Sequence, residues 1–272
     1  MNTGSSHRIF LNSLPKAGTN LVSRAFDLAG IQYGRLGIAS TLVLGNLYPI
    51  RQILRRSLFE RDPLMVGLEV QMPLRRSWLN KRLARVPNGW YVTGHANWSP
   101  GLEQLLADQG YKTILVIRDP RDVLVSHGHY VARSKKHFLN ATYSRLDLAE
   151  RTLLTLQGGR IDGLDIAPFH TMLERIDRWI GRPGVEVIRF EDIVGVAGGG
   201  SRARQRAVLG RLSQLSGSNF DPELIEANLH GRSNTFRKGK IGSGREELDP
   251  EILERVDTML RPVVRKWGYG DD

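Results

Sequence analysis

Residues 9–20 read IFLNSLPKAGTN, and LVSRAFDLAG follows at 21–30. A short apolar strand, 8–13, breaks at Pro15 and turns through Lys16, Ala17 and Gly18. It gives way at Thr19 to a helical pattern that stops at Gly30. A strand that passes into a helix through such a turn aims backbone N–H groups and the positive end of the helix dipole at one point, a ready seat for an anion. Lys16 adds a charge on a flexible stem, and Thr19 and Asn20 add donors. The spacing is not that of a Walker loop, because the Lys precedes the Gly. A capped helix after a proline turn would explain the stretch as well, so the rest of the chain has to decide.

The same handover recurs. KTILVIRD (112–119) reads as a buried strand and PRDVLVSHGHYVAR (120–133) as a helix opened by Pro120. GWYVTGH (89–95) is a strand ending at His95, and SPGLEQLLADQG (99–110) a helix with Ser99 as cap and Pro100 first. VEVIRFED (185–192) is a further strand. Helices are predicted over 46–61, 168–180, 202–216 and from Asp249 to near the end, with a second basic stretch at 73–86. GVAGGGS (195–201) and SNTFRKGKIGSGREE (233–247) read as loops. Strands alternating with helices predict an α/β fold of three layers, a parallel sheet with helices on both faces. No repeat interrupts residues 1–272, so one domain is expected, with a basic insertion at about 35–88.

Such sheets bind ligands beyond the carboxyl ends of their strands, which puts Arg118 on the same crevice as the 15–20 turn. There it can fork onto a phosphate or pair with Asp119 or Asp122. Ser126 follows eight positions later on the helix. FRKGK (236–240) is either a clamp for a terminal phosphate or a solvated basic run.

Composition narrows the partners. The chain carries 39 Lys and Arg against 28 Asp and Glu, a net +11, and 31 of the cations are Arg. That charge favours anionic ligands without choosing among them. With no cysteine, disulfides, thiol nucleophiles and Cys-ligated zinc are excluded, and a reducing, cytoplasmic setting is expected. No stretch reads as a secretory leader, and the longest apolar-leaning run, 38–50, is too short to span a bilayer. No His, Asp or Glu cluster has metal-ligand spacing, so no metal is expected. Aromatic residues are 7% and do not interleave with the basic runs, which argues against nucleic acid.

Taken in order, these pieces resemble the nucleotide-dependent sulfotransferase family. PKAGTN resembles the family's PKSGTTW loop for the 5′-phosphosulfate of 3′-phosphoadenosine 5′-phosphosulfate (PAPS). RDPRDVLVSHGHY resembles its 3′-phosphate motif, IRFEDI its RYEDL-type strand, and FRKGKIG its late RKG loop. The resemblance runs from residue 9 to 242 and implies a P-loop-like nucleotide-binding fold and transfer of a sulfuryl group from PAPS to an acceptor hydroxyl. It implies Lys16, Ala17, Gly18, Thr19 and Asn20 on the 5′-phosphate, and Arg118, Ser126, Arg237, Lys238 and Gly239 on the 3′-phosphate. Phe190 falls on the RYED-type tyrosine. Ser126 would restrain Lys16 until the acceptor arrives. His95 falls on the catalytic base, with His127 and His129 as packing residues or acceptor wall. The acceptor would be a glycan, a lipid-linked glycan or a small molecule, anionic if the basic insertion faces it; that insertion would also suit peripheral contact with a membrane. Four positions depart from the pattern: Leu21 replaces the aromatic that stacks adenine, Phe190 lacks the hydroxyl, Thr93 replaces a Lys, and no Trp follows the RKG loop. The alternatives are a P-loop kinase, which needs Mg²⁺ and a Lys after the Gly, and a nucleic-acid binder.

Overall fold

In chain order the regular elements are β1 (Arg8–Ser13), α1 (Thr19–Leu28), β2 (Tyr33–Ile38), β3 (Leu64–Val66), β4 (Met72–Leu74), α2 (Arg76–Ala84), β5 (Tyr91–Gly94), α3 (Pro100–Asp108), β6 (Tyr111–Ile117), α4 (Pro120–Arg133) and α5 (Asn140–Tyr143). They continue with α6 (Leu148–Gln157), β7 (Gly159–Ile161), β8 (Leu164–Ile166), α7 (Phe169–Asp177), β9 (Val185–Arg189), α8 (Phe190–Ile193), α9 (Arg202–Ser216), α10 (Pro222–Asn228) and α11 (Pro250–Lys266). The computed structural model describes residues 7–40, 62–230 and 239–270. The helix expected over 46–61, and Arg237 and Lys238, lie outside them.

Five strands form a sheet in the order β2-β5-β1-β6-β9, all parallel. Side chains alternate across a strand, so each buried strand feeds both faces. Ile9, Leu11, Ile114, Val116 and Ile188 point to one face and pack with Leu21, Val22 and Phe26 of α1 and Val208, Leu209 and Leu212 of α9. Phe10, Val92, Leu115 and Ile117 point to the other, against Leu102 and Leu105 of α3, Met172, Leu173 and Ile176 of α7 and Val256 and Leu260 of α11. This is the three-layer α/β fold that the alternating pattern predicts.

The helix starts follow their capping residues. Ser99 Oγ accepts from Leu102 N at 3.2 Å and Asp119 Oδ1 from Arg121 N at 2.9 Å, each with Pro as the first helical residue. The Asp119 carboxylate also takes the Arg121 guanidinium, which reaches on to Asp257 and the Tyr269 carbonyl and so ties α11 to the start of α4.

One reading of the sequence is corrected and unassigned regions gain structure. The strand expected over 185–192 ends at Arg189, and Phe190–Ile193 turns helical, because Glu191 swings back to accept from Asp119 N at 3.0 Å. The unassigned stretch 31–38 supplies the edge strand β2. Residues 62–74 and 159–166 form two small antiparallel hairpins, β3–β4 and β7–β8.

One buried amide joins the central strand to the loop after β5. Asn12 Nδ2 donates to Ala96 O at 2.9 Å, and Ala96 N donates to Asn12 Oδ1 at 3.0 Å. Asn12→Ala leaves both Ala96 groups without that partner in a dry interior and is expected to destabilise the protein by about 2–3 kcal/mol. A urea titration tests this; a loss below about 1 kcal/mol would show that the seam does not depend on the amide.

Candidate active site

Beyond the carboxyl ends of β1, β5 and β6 lies a cavity of about 380 Å³. Three separate strand exits deliver its chemistry. From β1 come Pro15, Lys16, Gly18, Thr19 and Asn20; from β5, Thr93, Gly94 and His95; from β6 and α4, Arg118, Asp122, Ser126 and Tyr130. Parallel strands point their exits the same way, and this alone explains why residues a hundred positions apart share one crevice.

The first exit bends tightly. Lys16 has φ 72° and Gly18 φ 117°, both in the left-handed region. A Cβ on Gly18 would stand 2.9 Å from Phe190 Cδ2, so only glycine lets the turn close over that ring. The Ala17 N–H is donated to Leu14 O at 3.1 Å, and Ala17 is fully buried, away from the cavity wall. Lys16 Nζ stands 4.9 Å from the centroid of the Tyr130 ring, a cation over an aromatic face on the helix that also carries Ser126. Ser13 Oγ and Thr19 Oγ1 are hydrogen-bonded across the mouth of the turn.

His95 is fixed from both sides. Its backbone N–H donates to Ile38 O at 2.9 Å, and its Nδ1 donates to Ser13 O at 2.9 Å. A proton held on Nδ1 leaves the Nε2 lone pair as the basic site. Burial pulls the imidazole below its usual value of 6.5; the Ser13 carbonyl and the Glu69 carboxylate oppose that pull, and His127 and Lys16 add to it. His95 is therefore a neutral imidazole at neutral pH.

Arg118, only 6% exposed, is held between a ring and a carboxylate. Its Cζ lies 4.2 Å from the Phe190 centroid, and its Nη2 donates to Asp122 Oδ2 at 3.1 Å and Lys240 O at 2.9 Å. The pairing with Asp122 weighed from sequence is thus present, in a buried setting. Asp122 also accepts from Gly242 N and Gly244 N, each at 2.8 Å, and so pins the loop that carries Gly239 onto the cavity. Glu191, whose carboxyl burial pushes up against hydrogen bonds from Asp119 N and Tyr269, braces the start of α4.

Of the residues expected from sequence, Lys16, Gly18, Thr19, Asn20, His95, Arg118, Ser126, Phe190 and Gly239 line the cavity together. Leu21 lines it too, from a fully buried position. His127 and His129 do not line it: His127 Nε2 lies 2.6 Å from Glu69 Oε1, and His129 Nε2 3.0 Å from Glu247 Oε2. Sequence reasoning missed Glu69, Tyr130, His137, Ser40 and Ser243 on the wall. Tyr130 had a signal, its i+4 spacing from Ser126 on a helix; the others had none. Among the described residues no group of His, Asp and Glu is placed to hold a metal ion, and no helix is long and apolar enough to cross a membrane.

Comparison with known proteins gives a consistent answer. The family model for the sulfotransferase domain matches residues 6–159. No curated protein matches the chain. The crystal structure of mouse sulfotransferase SULT7A1 complexed with PAP superposes with a TM-score of 0.60 at 16% identity, covering 95% of this chain and 85% of that one. Retinol dehydratase in complex with androsterone and inactive cofactor PAP gives 0.53 at 15% identity, over 94% and 80%. At these identities the likeness speaks for the fold, the P-loop-like sandwich.

Asp122 is the residue on which this geometry hangs. Asp122→Ala leaves the buried Arg118 guanidinium without its carboxylate and frees two backbone N–H groups, so a loss of about 3–5 kcal/mol is expected by chemical denaturation. A loss under about 1 kcal/mol would mean that the loop is held by something else.

Proposed function

The chain belongs to the sulfotransferase domain family and is a sulfotransferase, and on that premise we propose that it moves a sulfuryl group from PAPS to an acceptor hydroxyl with His95 as general base. One observation carries the reading: Lys16, Thr19, His95, Arg118 and Ser126, drawn from three strand exits, line a single cavity.

The wall suits the donor nucleotide. It presents two cations, Lys16 and Arg118, and the hydroxyls of Thr19 and Ser126. Arg118 Nε is buried with no hydrogen-bond partner among the described residues, an orphaned charged donor of the kind a phosphate oxygen satisfies. Lys16, Gly18, Thr19 and Asn20 would hold the 5′-phosphate at the start of α1. The Ala17 N–H is already spent on Leu14, so the proposed cradle begins at Gly18. Arg118, Ser126 and the loop from Arg237 through Lys238 to Gly239 would hold the 3′-phosphate. Bound there, the donor supplies a sulfuryl group whose S–O bond to phosphate breaks as the acceptor oxygen bonds to sulfur.

His95 Nε2 takes the acceptor proton. Because Ser13 O fixes the other ring nitrogen, the tautomer is correct before the acceptor arrives. Lys16 and the N-terminus of α1 face the charge that grows on the phosphate side; placed in advance, they need no reorganisation during transfer. Ser126, one helical turn from Tyr130, would restrain Lys16 beside that ring, which Lys16 Nζ approaches to 4.9 Å.

Calorimetry with adenosine 3′,5′-bisphosphate tests the donor. Binding without divalent metal, weakened at least about tenfold in Arg118→Ala, is expected; a preference for ATP with Mg²⁺ would instead make the protein a kinase. Lys16→Ala is expected to lower kcat by about 10²–10³ while the fold is kept, and unchanged turnover would remove the loop from the chemistry. His95→Ala should keep bisphosphate binding and lose about 10²–10⁴ in rate. A base must be unprotonated to act, and burial depresses this one. The wild-type kcat/KM is therefore expected to be flat at neutral pH and to fall on acidification only below 6.5, the ordinary imidazole value. A fall centred above that value would assign the base to another group.

A further inference from the structure

Two buried groups on the cavity wall take no part in the transfer just described. Glu69 lies on the turn between β3 and β4, and His137 in the segment between α4 and α5. Their side chains are 7% and 4% exposed, yet both line the cavity that His95 lines. Both are firmly placed. Glu69 O accepts from Ala167 N at 2.8 Å, and Ser40 Oγ donates to the next carbonyl, that of Val70, at 2.8 Å. The His137 N–H donates to Ser134 O at 2.8 Å.

The two Glu69 oxygens have different surroundings. Oε1, buried away from the cavity, lies 2.6 Å from His127 Nε2, a close ion-pair contact without hydrogen-bond alignment. Oε2 faces His137 Nε2 at 3.7 Å, beyond hydrogen-bond range, and neither of these atoms makes a hydrogen bond within the described residues. The protonation of each is legible. His137 Nδ1 accepts from Leu139 N at 3.3 Å, which places the ring proton on Nε2. Burial pushes His137 down to about 4 against the pull of Glu69, so the ring is neutral at neutral pH and Nε2 is a donor only. Burial works to raise Glu69, but its neighbour His127 outweighs it and holds the carboxyl below its usual value, so Oε2 is an anionic acceptor.

A donor and an acceptor thus stand side by side on the cavity wall with a gap between them. The group that satisfies both is one that accepts and donates at a single atom, a hydroxyl, whose oxygen can sit about 2.8 Å from each. A hydrocarbon there would leave both groups unpaired in a desolvated wall. An anion would meet the Glu69 carboxylate, and an ammonium would find no acceptor on His137.

We propose that Glu69 Oε2 and His137 Nε2 form a hydroxyl-binding subsite, and that the acceptor is accordingly polyhydroxylated, a sugar or cyclic polyol that seats a second hydroxyl there while its reacting hydroxyl faces His95. The proposal rests on the reading of this cavity as the sulfuryl-transfer site.

The test measures sulfation from PAPS of methyl glucoside, methyl galactoside, methyl mannoside and myo-inositol against cyclohexanol and cyclohexylmethanol, which carry one hydroxyl each. Bisphosphate calorimetry runs alongside. The polyols are expected to lead the mono-alcohols by at least about tenfold in kcat/KM, since a site built for a hydroxyl discriminates strongly against its absence. His137→Asn keeps the acceptor for Leu139 N and deletes the Nε2 donor; Glu69→Gln removes the charge at constant volume. In each the polyol-to-mono-alcohol ratio should collapse toward one, with bisphosphate affinity unchanged as the check on folding. Equal rates in the wild type, no sulfation of any polyol, or a ratio indifferent to both substitutions, in protein that binds the bisphosphate, would overturn the proposal and assign the gap to water. Protein that binds no bisphosphate would remove the donor reading itself, and this inference with it.

Discussion

The Asn12 side chain exchanges two hydrogen bonds with Ala96 inside the sheet, and the position of His95 relative to the 15–20 turn follows from that exchange. Asn12 is one residue from the end of β1, and Ala96 is the residue after His95. Trp179 Nε1 donates to the same Ala96 carbonyl at 3.0 Å, so α7 side packing bears on the same point. The ring of His95 then has one place to go: its Nδ1 meets the carbonyl of Ser13, Asn12's neighbour. A buried polar residue in a central strand is costly unless fully paired. Here it is paired twice, and the pairing sets the geometry of the site.

The other half of the cavity is organised by charge. Asp122 holds Arg118 and two backbone N–H groups of the 239–244 loop at once, so the cation and the loop are positioned by one carboxylate. Arg118 cannot swing into solvent, because Phe190 covers one face and Asp122 holds one end. Such rigidity costs side-chain entropy during folding rather than during ligand binding, which is the advantage of a preorganised electrostatic site.

The strand–turn–helix units were legible because their signals are local. Pro120 and Pro100 sit at first helical positions, Asp119 and Ser99 accept from the helix starts, and β6 ends in the apolar run Ile114–Ile117 with no competing period. The 15–20 turn, His95 and Arg118 could be placed together because parallel topology turns three local exits into one crevice. What escaped notice was non-local. β2 carries two glycines and pairs with β5 through a register shift between Tyr33 and Gly37, so it has neither a clean alternation nor a buried run. The helical turn at Phe190 exists because Glu191 has a partner 72 residues away in Asp119. Glu69 and His137 belong to segments with no periodic pattern, and only the folded chain brings them within 3.7 Å.

The departures at Leu21 and Phe190 find a physical account in the same geometry. Leu21 is fully buried with Ile9, Val116 and Phe190 in the core beneath the 15–20 turn, so its first duty is to seat α1 on the sheet. Phe190 is 2% exposed, with Gly18 closing over the ring at Cδ2 and the Arg118 guanidinium stacked 4.2 Å from its centroid. A ring in that position separates the loop from the arginine by one aromatic thickness and shields the cation from water. Its faces and bulk do this work, and a phenyl ring supplies both. A hydroxyl in so enclosed a site would instead require its own partner. The tyrosine-to-phenylalanine departure from the family pattern therefore leaves the spacing between the 15–20 turn and Arg118 intact, and that spacing is what the strand-end aromatic contributes to the cavity.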